Sequence, residues 1–235
     1  YETVMGVLKR RINTKTDWET IDNIDFIGLD EISLKKGHKD FVTVVSALTG
    51  DDLTILAILE GREKKTVKKF LKTVPKRIKK KLKGVCSDMY DGYINAAKEV
   101  FGKRVKVIAD RFHVAKLYKA GLESLRKKEM KRLKDELPEE KYKELKGVMW
   151  ILRRKPENLD DEQREILEIL FGHSSILKQA YELCIELTAI YDENISKSKA
   201  GGKIKAWMLK VQISGLDIFN SFLTTLNNRW EEITN

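Results

Sequence analysis

Cysteines are few and long apolar runs are absent, and each shortage excludes a class of protein. The two cysteines, Cys86 and Cys184, lack the spacing of metal ligands, so we interpret them as small buried side chains rather than as a disulfide or a zinc site. No apolar run approaches the roughly 18 residues that a membrane-spanning helix needs, and the start of the chain has no signal-peptide pattern. Together these shortages predict a soluble, cytoplasmic protein.

Acidic residues are outnumbered by basic ones. Lys and Arg total 46 against 36 Asp and Glu, which gives a net charge of +10 and a pI near 9.4. This excess favours a polyanionic partner such as nucleic acid, although a composition rich in Lys and Glu is also typical of heat-adapted proteins. Residues 62–83 alone hold twelve Lys or Arg and one Glu. A solvated helix face explains that run better than a dedicated DNA contact, because the lysines fill the positions that the apolar stripe leaves.

The chain has no internal repeat and no low-complexity tract, and its 235 residues fit one globular unit with a large insertion. Residues 1–22 form a short basic entry segment with Lys9, Arg10 and Arg11 in its middle. The first residue is Tyr1 rather than Met, so we expect the chain to have been cut from a longer protein.

Five segments are rich in residues that favour β-strands. They are residues 24–34, 41–48, 53–60, 84–88 and 105–109. Short turns join the first three, which predicts an antiparallel meander, whereas helical segments precede the last two, which predicts strands parallel to the first. The predicted fold class is therefore α/β, with a five-stranded mixed sheet and flanking helices.

Helical periodicity accounts for most of the remaining chain. The predicted helices cover residues 62–83, 89–101, 114–137, 139–154, 162–171, 174–194 and 204–235, with a linker at 196–202. Pro75 is expected to kink or divide the first of them. Because no strand is predicted after residue 113, the second half of the chain is expected to be all-helical.

The first predicted strand contains an unexpected carboxylate, Asp30. Apolar side chains fall on both faces of this strand, Phe26 and Ile32 on one and Ile27 and Leu29 on the other, as in a central strand covered on both sides. A carboxylate there must reach water, pair with a cation or bind a metal, since burying it without a partner is costly. The simpler alternative is a strand-end aspartate near water.

Two further predicted strands end at acidic residues, Asp88 and Asp110. The carboxyl ends of parallel strands meet at one edge of a sheet, so Asp88 is predicted to lie beside Asp30, where the two carboxylates repel each other unless a divalent cation joins them. Other interpretations stay open. Asp88 and Asp110 can each cap the helix that follows, and His113 can be a partly buried residue of a first helical turn.

Three blocks of sequence carry a resemblance to a known family. Segments 28–38 (Gly-Leu-Asp-Glu-Ile-Ser-Leu-Lys-Lys-Gly-His), 87–93 (Ser-Asp-Met-Tyr-Asp-Gly-Tyr) and 109–114 (Ala-Asp-Arg-Phe-His-Val) resemble, in order, the signature blocks of insertion-sequence transposases of the ISL3 group. The resemblance covers essentially the whole chain. It implies a ribonuclease H-like fold of the retroviral-integrase superfamily, with a mixed five-stranded sheet followed by a large all-helical insertion.

The same resemblance implies a division into domains. The expected parts are the basic entry segment (1–22), the first part of the catalytic core (23–115), the all-helical insertion (116–203) and C-terminal helices (204–235) that lead toward a third catalytic block.

By this resemblance, Asp30 matches the first catalytic carboxylate and Asp88 the second, and both are implied to bind metal. Asp110 and His113 match a D-x-x-H element at the rim of the site. The implied cofactor is Mg²⁺ or Mn²⁺, with two ions in the complete site that clamp the attacking and leaving oxygens. The third acid, a Glu, has no matching block, so we expect it beyond Asn235. We therefore expect this chain alone to bind metal weakly or through a single ion, and not to join DNA strands.

The implied partner is double-stranded DNA, both the transposon ends and a target, held by a homo-oligomer. Candidate DNA contacts are Lys35, Lys36, His38, Arg111 and Trp150. The apolar run around Trp150 favours a place in the hydrophobic core. The alternative is stacking on a flipped base at the DNA end, as an aromatic residue of the insertion does in related transposases.

The predicted function is metal-dependent DNA cleavage and strand transfer of an insertion sequence, that is, transposition by a DDE transposase. Two alternatives remain: a non-enzymatic DNA-binding module derived from a transposase, and a structure-selective nuclease of the same fold.

Overall fold

Five strands from the first half of the chain form one mixed sheet. They are β1 (Phe26–Lys35), β2 (Lys39–Thr49), β3 (Asp52–Glu60), β4 (Gly84–Ser87) and β5 (Lys106–Ala109). The sheet order is β3-β2-β1-β4-β5; β2 is antiparallel to β1 and β3, and β4 is parallel to β1 and β5. The predicted architecture is confirmed, because short connections return a strand antiparallel whereas helical crossovers bring it back parallel.

The computed structural model describes Gly6, Arg10, Ile12 and residues 14–35 and 39–235, without the side chains of Lys35 and Lys39. The chain divides into two units. The first unit consists of Tyr1–His113 and Arg229–Asn235, and the second unit consists of Val114–Asn228. No helix in the part of the chain that is described has the length and apolar character needed to cross a membrane.

Helices flank the sheet of the first unit. They are α1 (Lys64–Thr73), α2 (Lys76–Lys81) and α3 (Asp91–Phe101), followed at the carboxyl end of β5 by the start of α4 (Arg111–Glu136). Pro75 stands directly before α2 and divides the predicted helix in two, as expected. The apolar side of α1 buries Val67 and Leu71 in the core of this unit.

The two faces of β1 differ more than the sequence predicts. Ile27 and Leu29 are fully buried, but Phe26 is only half-buried and Ile32 is 38% exposed. The expectation that both faces of the strand are covered was therefore wrong for the face that carries Phe26, Asp30 and Ile32. Asp30 lies on the more open face, so a carboxylate at this position meets water instead of a sealed core.

The end of the described chain packs back onto the first unit. Helix α11 (Trp230–Thr234) buries Glu232, Ile233 and Thr234, and the Asn235 side-chain amide donates a hydrogen bond of 2.8 Å to the carbonyl of Val107 in β5. Tertiary packing therefore anchors this segment.

The second unit is all-helical, as predicted. Its helices after α4 are α5 (Glu139–Lys143), α6 (Val148–Ile151), α7 (Asp161–His173), α8 (Ser175–Asp192), α9 (Lys197–Ser214) and α10 (Asn220–Asn228). Trp207 is completely buried at the centre of this unit, and its indole N–H donates a 2.8 Å hydrogen bond to the carbonyl of Leu183. The ring of Trp207 also contacts Phe219 and Phe222 edge to face.

Three helix boundaries in this unit differ from the prediction, and glycines explain two of them. Gly147 has a positive φ of 91°, which ends the predicted 139–154 helix and separates α5 from α6. Gly215 adopts the left-handed conformation that terminates α9. The predicted linker at 196–202 is instead the first part of α9, since the Ser196 side chain accepts a hydrogen bond from the Lys199 N–H and caps the helix.

Gly121 provides a test of close packing in the second unit. A Cβ atom at this position in α4 would lie 2.5 Å from the backbone carbonyl oxygen of Ile218, which cannot rotate away. We expect Gly121→Ala to lower the free energy of unfolding by about 1–3 kcal/mol, as overpacking does. Urea titration followed by circular dichroism measures the change.

Gly202 supplies the matched control, because it lies in α9 with open space around the position of a Cβ atom. Gly202→Ala should raise the free energy of unfolding by up to about 1 kcal/mol through helix propensity. Equal effects of the two substitutions would contradict the close contact between Gly121 and Ile218.

Candidate active site

Asp30 lies in the middle of β1, directly after the part of the strand that pairs with β4, with most of its side chain in solvent. The side chain is 65% exposed, and its Oδ1 accepts a 2.8 Å hydrogen bond from the N–H of Glu31. The Nε2 atom of His113 lies 3.9 Å from the same oxygen. This carboxylate does not need a close salt bridge, because water solvates it.

Asp88 follows the last residue of the neighbouring parallel strand. Leu29 in β1 pairs with Ser87 in β4, so Asp30 and Asp88 each come one residue after this pair. The Oδ1 of Asp88 accepts a 2.9 Å hydrogen bond from the N–H of Tyr90, and the carboxylate is half-buried. Helix α3 begins at Asp91 without a side-chain cap, so Asp88 stabilises the turn before the helix and is not its N-cap.

Several charged groups around Asp88 affect its pKa. Burial raises the pKa of the Asp88 carboxyl above its ordinary value, and the Tyr90 N–H opposes this shift. The negative charges of Glu31 and Asp30 raise the pKa further, whereas His113 lowers it. These groups therefore lie close enough to Asp88 to act on its ionisation.

Asp110 lies at the end of β5, next to the same edge of the sheet. Its N–H donates a 2.6 Å hydrogen bond to the Ser87 carbonyl, and its Oδ1 accepts a 2.7 Å hydrogen bond from the Phe112 N–H at the start of α4. The main side-chain contact of Asp110 is thus that of a helix cap, as one of the two interpretations predicts. Asp110 and Asp30 both act on the Cys86 thiol of β4, whose pKa is raised to about 11 by burial first and then by the charges of these two residues.

Sequence reasoning missed an ion pair on the covered face of β1. Arg62 donates two hydrogen bonds to the Glu31 carboxylate, at 2.9 and 3.1 Å, and its guanidinium lies 4.2 Å from the centre of the Phe41 ring. On its other side, the guanidinium lies 5.2 Å from the centre of the Tyr90 ring. Arg62 therefore neutralises the acid that directly follows Asp30. The only signal in the sequence was the adjacency of Glu31 to Asp30.

A buried hydroxyl pair fixes the helix that follows Asp88. The Thr43 hydroxyl donates to the carbonyl of Gly61 at 2.8 Å, so the Tyr93 hydroxyl, 2.8 Å from the Thr43 oxygen, is the donor of the second bond. The Tyr93 ring also meets the Tyr90 ring edge to face at 5.2 Å. These contacts hold the Asp88 turn against β2.

The acids of α11 lie away from this edge of the sheet. The Glu232 carboxylate is buried and forms a 2.5 Å ion pair with Lys98, near the end of α3. Together with Glu231 it lines an open cavity of about 590 Å³ that is also bordered by Lys103 and Lys106, at the beginning of β5. Asp30 and Asp88 instead follow Leu29 and Ser87, the last paired residues of β1 and β4.

The donor set at the strand ends suits a hard divalent cation only in part. Carboxylate oxygens such as those of Asp30 and Asp88 are the ligands that Mg²⁺ prefers, together with water and phosphate oxygens. Among residues 14–35 and 39–235, however, no group of three or more His, Cys, Asp or Glu side chains is arranged to hold a metal ion.

Two of the candidate DNA contacts, Trp150 and Arg111, are exposed. Trp150 is 61% exposed, so the predicted core position was wrong. Helix α6 has a single turn that buries Val148 and Ile151, and this leaves the indole in solvent with the guanidinium of Arg153 5.1 Å from the ring centre. Arg111 is exposed at the start of α4.

The remaining candidates lie at the β1–β2 connection. Lys36 and His38 fall outside the described residues, and Lys35 is placed in β1 without a description of its side chain.

Comparison with known proteins identifies the family. A model of the ISL3 group of DDE transposases, described as "Transposase", matches residues 27–235. The chain is also 26% identical over 227 residues to the transposase for insertion sequence element IS1001 of Bordetella parapertussis, across 96% of this chain and 54% of that protein. The chain therefore spans about half the length of this curated relative. Since the family match includes most of the chain and all three acidic strand ends, the chain belongs to the ISL3 family of DDE transposases.

Proposed function

We propose that this chain carries the two-aspartate part of the active site of a transposase that cuts and joins DNA for an insertion sequence. The observation that supports the proposal is the pair of carboxylates, Asp30 and Asp88, one residue beyond paired positions on adjacent parallel strands. In open α/β sheets, sites form at the carboxyl ends of such strands.

The electrostatics of the chain favour a cation at this pair. Arg62 neutralises Glu31, and Asp110 accepts the N–H bond that starts α4. Asp30 and Asp88 lack a comparable strong partner in the described structure, and the ionised form of Asp88 is disfavoured by burial and by its acidic neighbours. A positive charge between them would relieve both penalties.

The chemistry assigned to each residue follows from its exposure. A bound divalent ion such as Mg²⁺ or Mn²⁺ would supply charge neutralisation at the phosphodiester oxygens. Asp30 offers its exposed carboxylate toward solvent, where DNA can approach. Asp88, fixed by the Tyr90 N–H, offers a carboxylate of fixed orientation. His113, 3.9 Å from Asp30, orients that side chain at the rim.

The proposal includes the third carboxylate that the family resemblance implies. The two acids of α11 do not lie at this edge of the sheet. Glu232 is paired with Lys98 and lies with Glu231 beside the start of β5. We therefore propose that neither Glu231 nor Glu232 is the third ligand of this site.

Substitution of the two aspartates tests the proposed function. We expect Asp30→Asn and Asp88→Asn, in the protein with its full natural sequence, each to reduce Mn²⁺-dependent cleavage of the element's ends at least about 100-fold, since metal ligands are lost. DNA affinity without metal should stay unchanged. A gel assay of cleavage and fluorescence anisotropy of binding measure the two quantities.

Asp110→Asn is the control, because Asn caps helices as well as Asp does, and it should keep cleavage within a few-fold. Full cleavage by both Asp30→Asn and Asp88→Asn would refute the metal site and favour a DNA-binding module without catalysis. Cleavage without strand joining by the unmodified protein would favour a nuclease.

The exposed indole of Trp150 generates a separate prediction. If it stacks on a base at the DNA end, Trp150→Ala should weaken binding to an end with unpaired terminal bases by about 1–3 kcal/mol, the usual value of one stacking contact. Anisotropy with such a duplex measures the loss. Because the side chain is 61% exposed, the melting temperature should change by no more than a degree or two.

Trp150→Phe retains an aromatic face and is the matched control, with most of the affinity kept. Equal affinity of the Ala variant and the unmodified protein would exclude Trp150 as a DNA contact.

A further inference from the structure

Five exposed lysines lie opposite the buried residues of α1 and α2 in the first unit. They are Lys65, Lys69, Lys72, Lys76 and Lys80, called here the lysine stripe. The stripe belongs to the segment 62–83, whose excess of positive charge exceeds that of the whole chain.

The positions of these lysines follow helical geometry. Lys65, Lys69 and Lys72 are spaced i, i+4 and i+7, so they share one side of α1, while the buried Val67 and Leu71 lie on the other. Lys76 and Lys80 are likewise one turn apart in α2, with Ile78 buried on the opposite side. The stripe is therefore fixed by the packing of the apolar residues behind it.

Several neighbouring basic residues in this segment have partners. Lys64 and Lys68 both contact Glu99, Lys83 pairs with Asp25 at 2.9 Å, and Arg77 donates to the backbone carbonyl of Ile21. For the five stripe lysines, by contrast, no acidic side chain lies within ion-pair distance in the described part of the chain.

The second unit contains lysines that differ from the stripe in having acidic partners. There, Lys127 lies 3.8 Å from Glu123, and Lys203 and Lys210 each lie 2.6 Å from a glutamate. These three lysines have their charge balanced by an acid of the same unit, which the stripe lysines do not. The stripe keeps its charge for an external anion.

The chemistry of the stripe selects the kind of anion. From Lys65 to Lys72 the stripe runs about 10 Å, a length of duplex axis that carries about six phosphate charges. Lysines act as point charges on phosphates. Helices α1 and α2 contain no Asn or Gln that could read base edges, and the guanidinium of Arg77 donates to the carbonyls of Trp18 and Ile21. Such a surface binds the DNA backbone without regard to sequence.

We propose that the lysine stripe holds the phosphate backbone of the target duplex into which the element is inserted. The proposal rests on the proposed transposase function. An element's ends must be recognised by sequence, whereas a target can be any duplex, and a surface of lysines alone fits the second requirement.

The test compares two triple variants that remove the same charge. Lys65→Gln/Lys69→Gln/Lys72→Gln removes the α1 part of the stripe, and Lys127→Gln/Lys203→Gln/Lys210→Gln removes three lysines that already have acidic partners. Anisotropy measures binding to a 30-base-pair duplex of random sequence from 50 to 200 mM KCl. Cleavage of duplexes with the element's ends, and joining of precut ends to a plasmid, are measured with the full natural protein and Mn²⁺.

We expect the stripe variant to bind random duplex at least tenfold more weakly than the paired-lysine variant at 100 mM KCl. Its slope of log affinity against log salt should be lower by about 2 to 3, since about 0.9 is lost for each phosphate contact. Joining to the plasmid should fall at least tenfold, while cleavage of the ends stays within twofold. Unchanged melting temperatures show that both variants are folded.

Equal binding by the two variants would overturn the proposal and leave the stripe a solvated face. Equal losses of cleavage and joining would also overturn it, because the stripe would then hold the element's ends. The Asp30→Asn variant tests the proposed function separately. It should bind random duplex normally but cleave nothing. If the unmodified protein neither cleaves nor joins, the proposed function and the assignment to the target both fail.

Discussion

Two carboxylates that follow the last paired residues of adjacent parallel strands repel each other, and the rest of the site is arranged around this repulsion. Asp30 relieves it by exposure to water, whereas Asp88 is half-buried and its pKa is raised by burial first and then by Glu31 and Asp30. The Arg62 guanidinium neutralises Glu31, which removes one nearby negative charge. What remains is a local excess of negative charge that a divalent cation can satisfy. This excess is the physical basis of the proposed function.

The sheet and its helical layer could be predicted from local sequence signals. Strand connections of a few residues and a helical crossover fix the directions of β1 to β5, and Pro75 marks the division of α1 from α2. The neighbouring positions of Asp30 and Asp88 follow from the same topology, since parallel strands end at one edge. The family resemblance, confirmed by the match over residues 27–235, gave these two residues their proposed roles.

Features that depend on contacts distant in sequence could not be predicted. Arg62 reaches Glu31 across 31 positions, and Lys98 reaches Glu232 across 134, and neither pair has a local pattern. Trp150 was placed in the core because its neighbours are apolar, but a one-turn helix buries only part of such a run. The unpaired state of the lysine stripe likewise required the positions of Glu99 and Asp25, because the sequence alone shows the lysines and not their partners.

Thermal unfolding of Asp88→Asn, with EDTA and with Mn²⁺, tests the central claim most directly. Because the pKa of Asp88 is raised in the folded protein, its ionised form destabilises the fold at neutral pH, and this cost disappears as the pH falls through the raised pKa toward the ordinary value of 3.8. The account predicts a higher melting temperature for Asp88→Asn than for the unmodified protein in EDTA at pH 7, a difference that vanishes in acid, and a Mn²⁺-induced rise in the unmodified protein only. An equal Mn²⁺-induced rise in both proteins would contradict it.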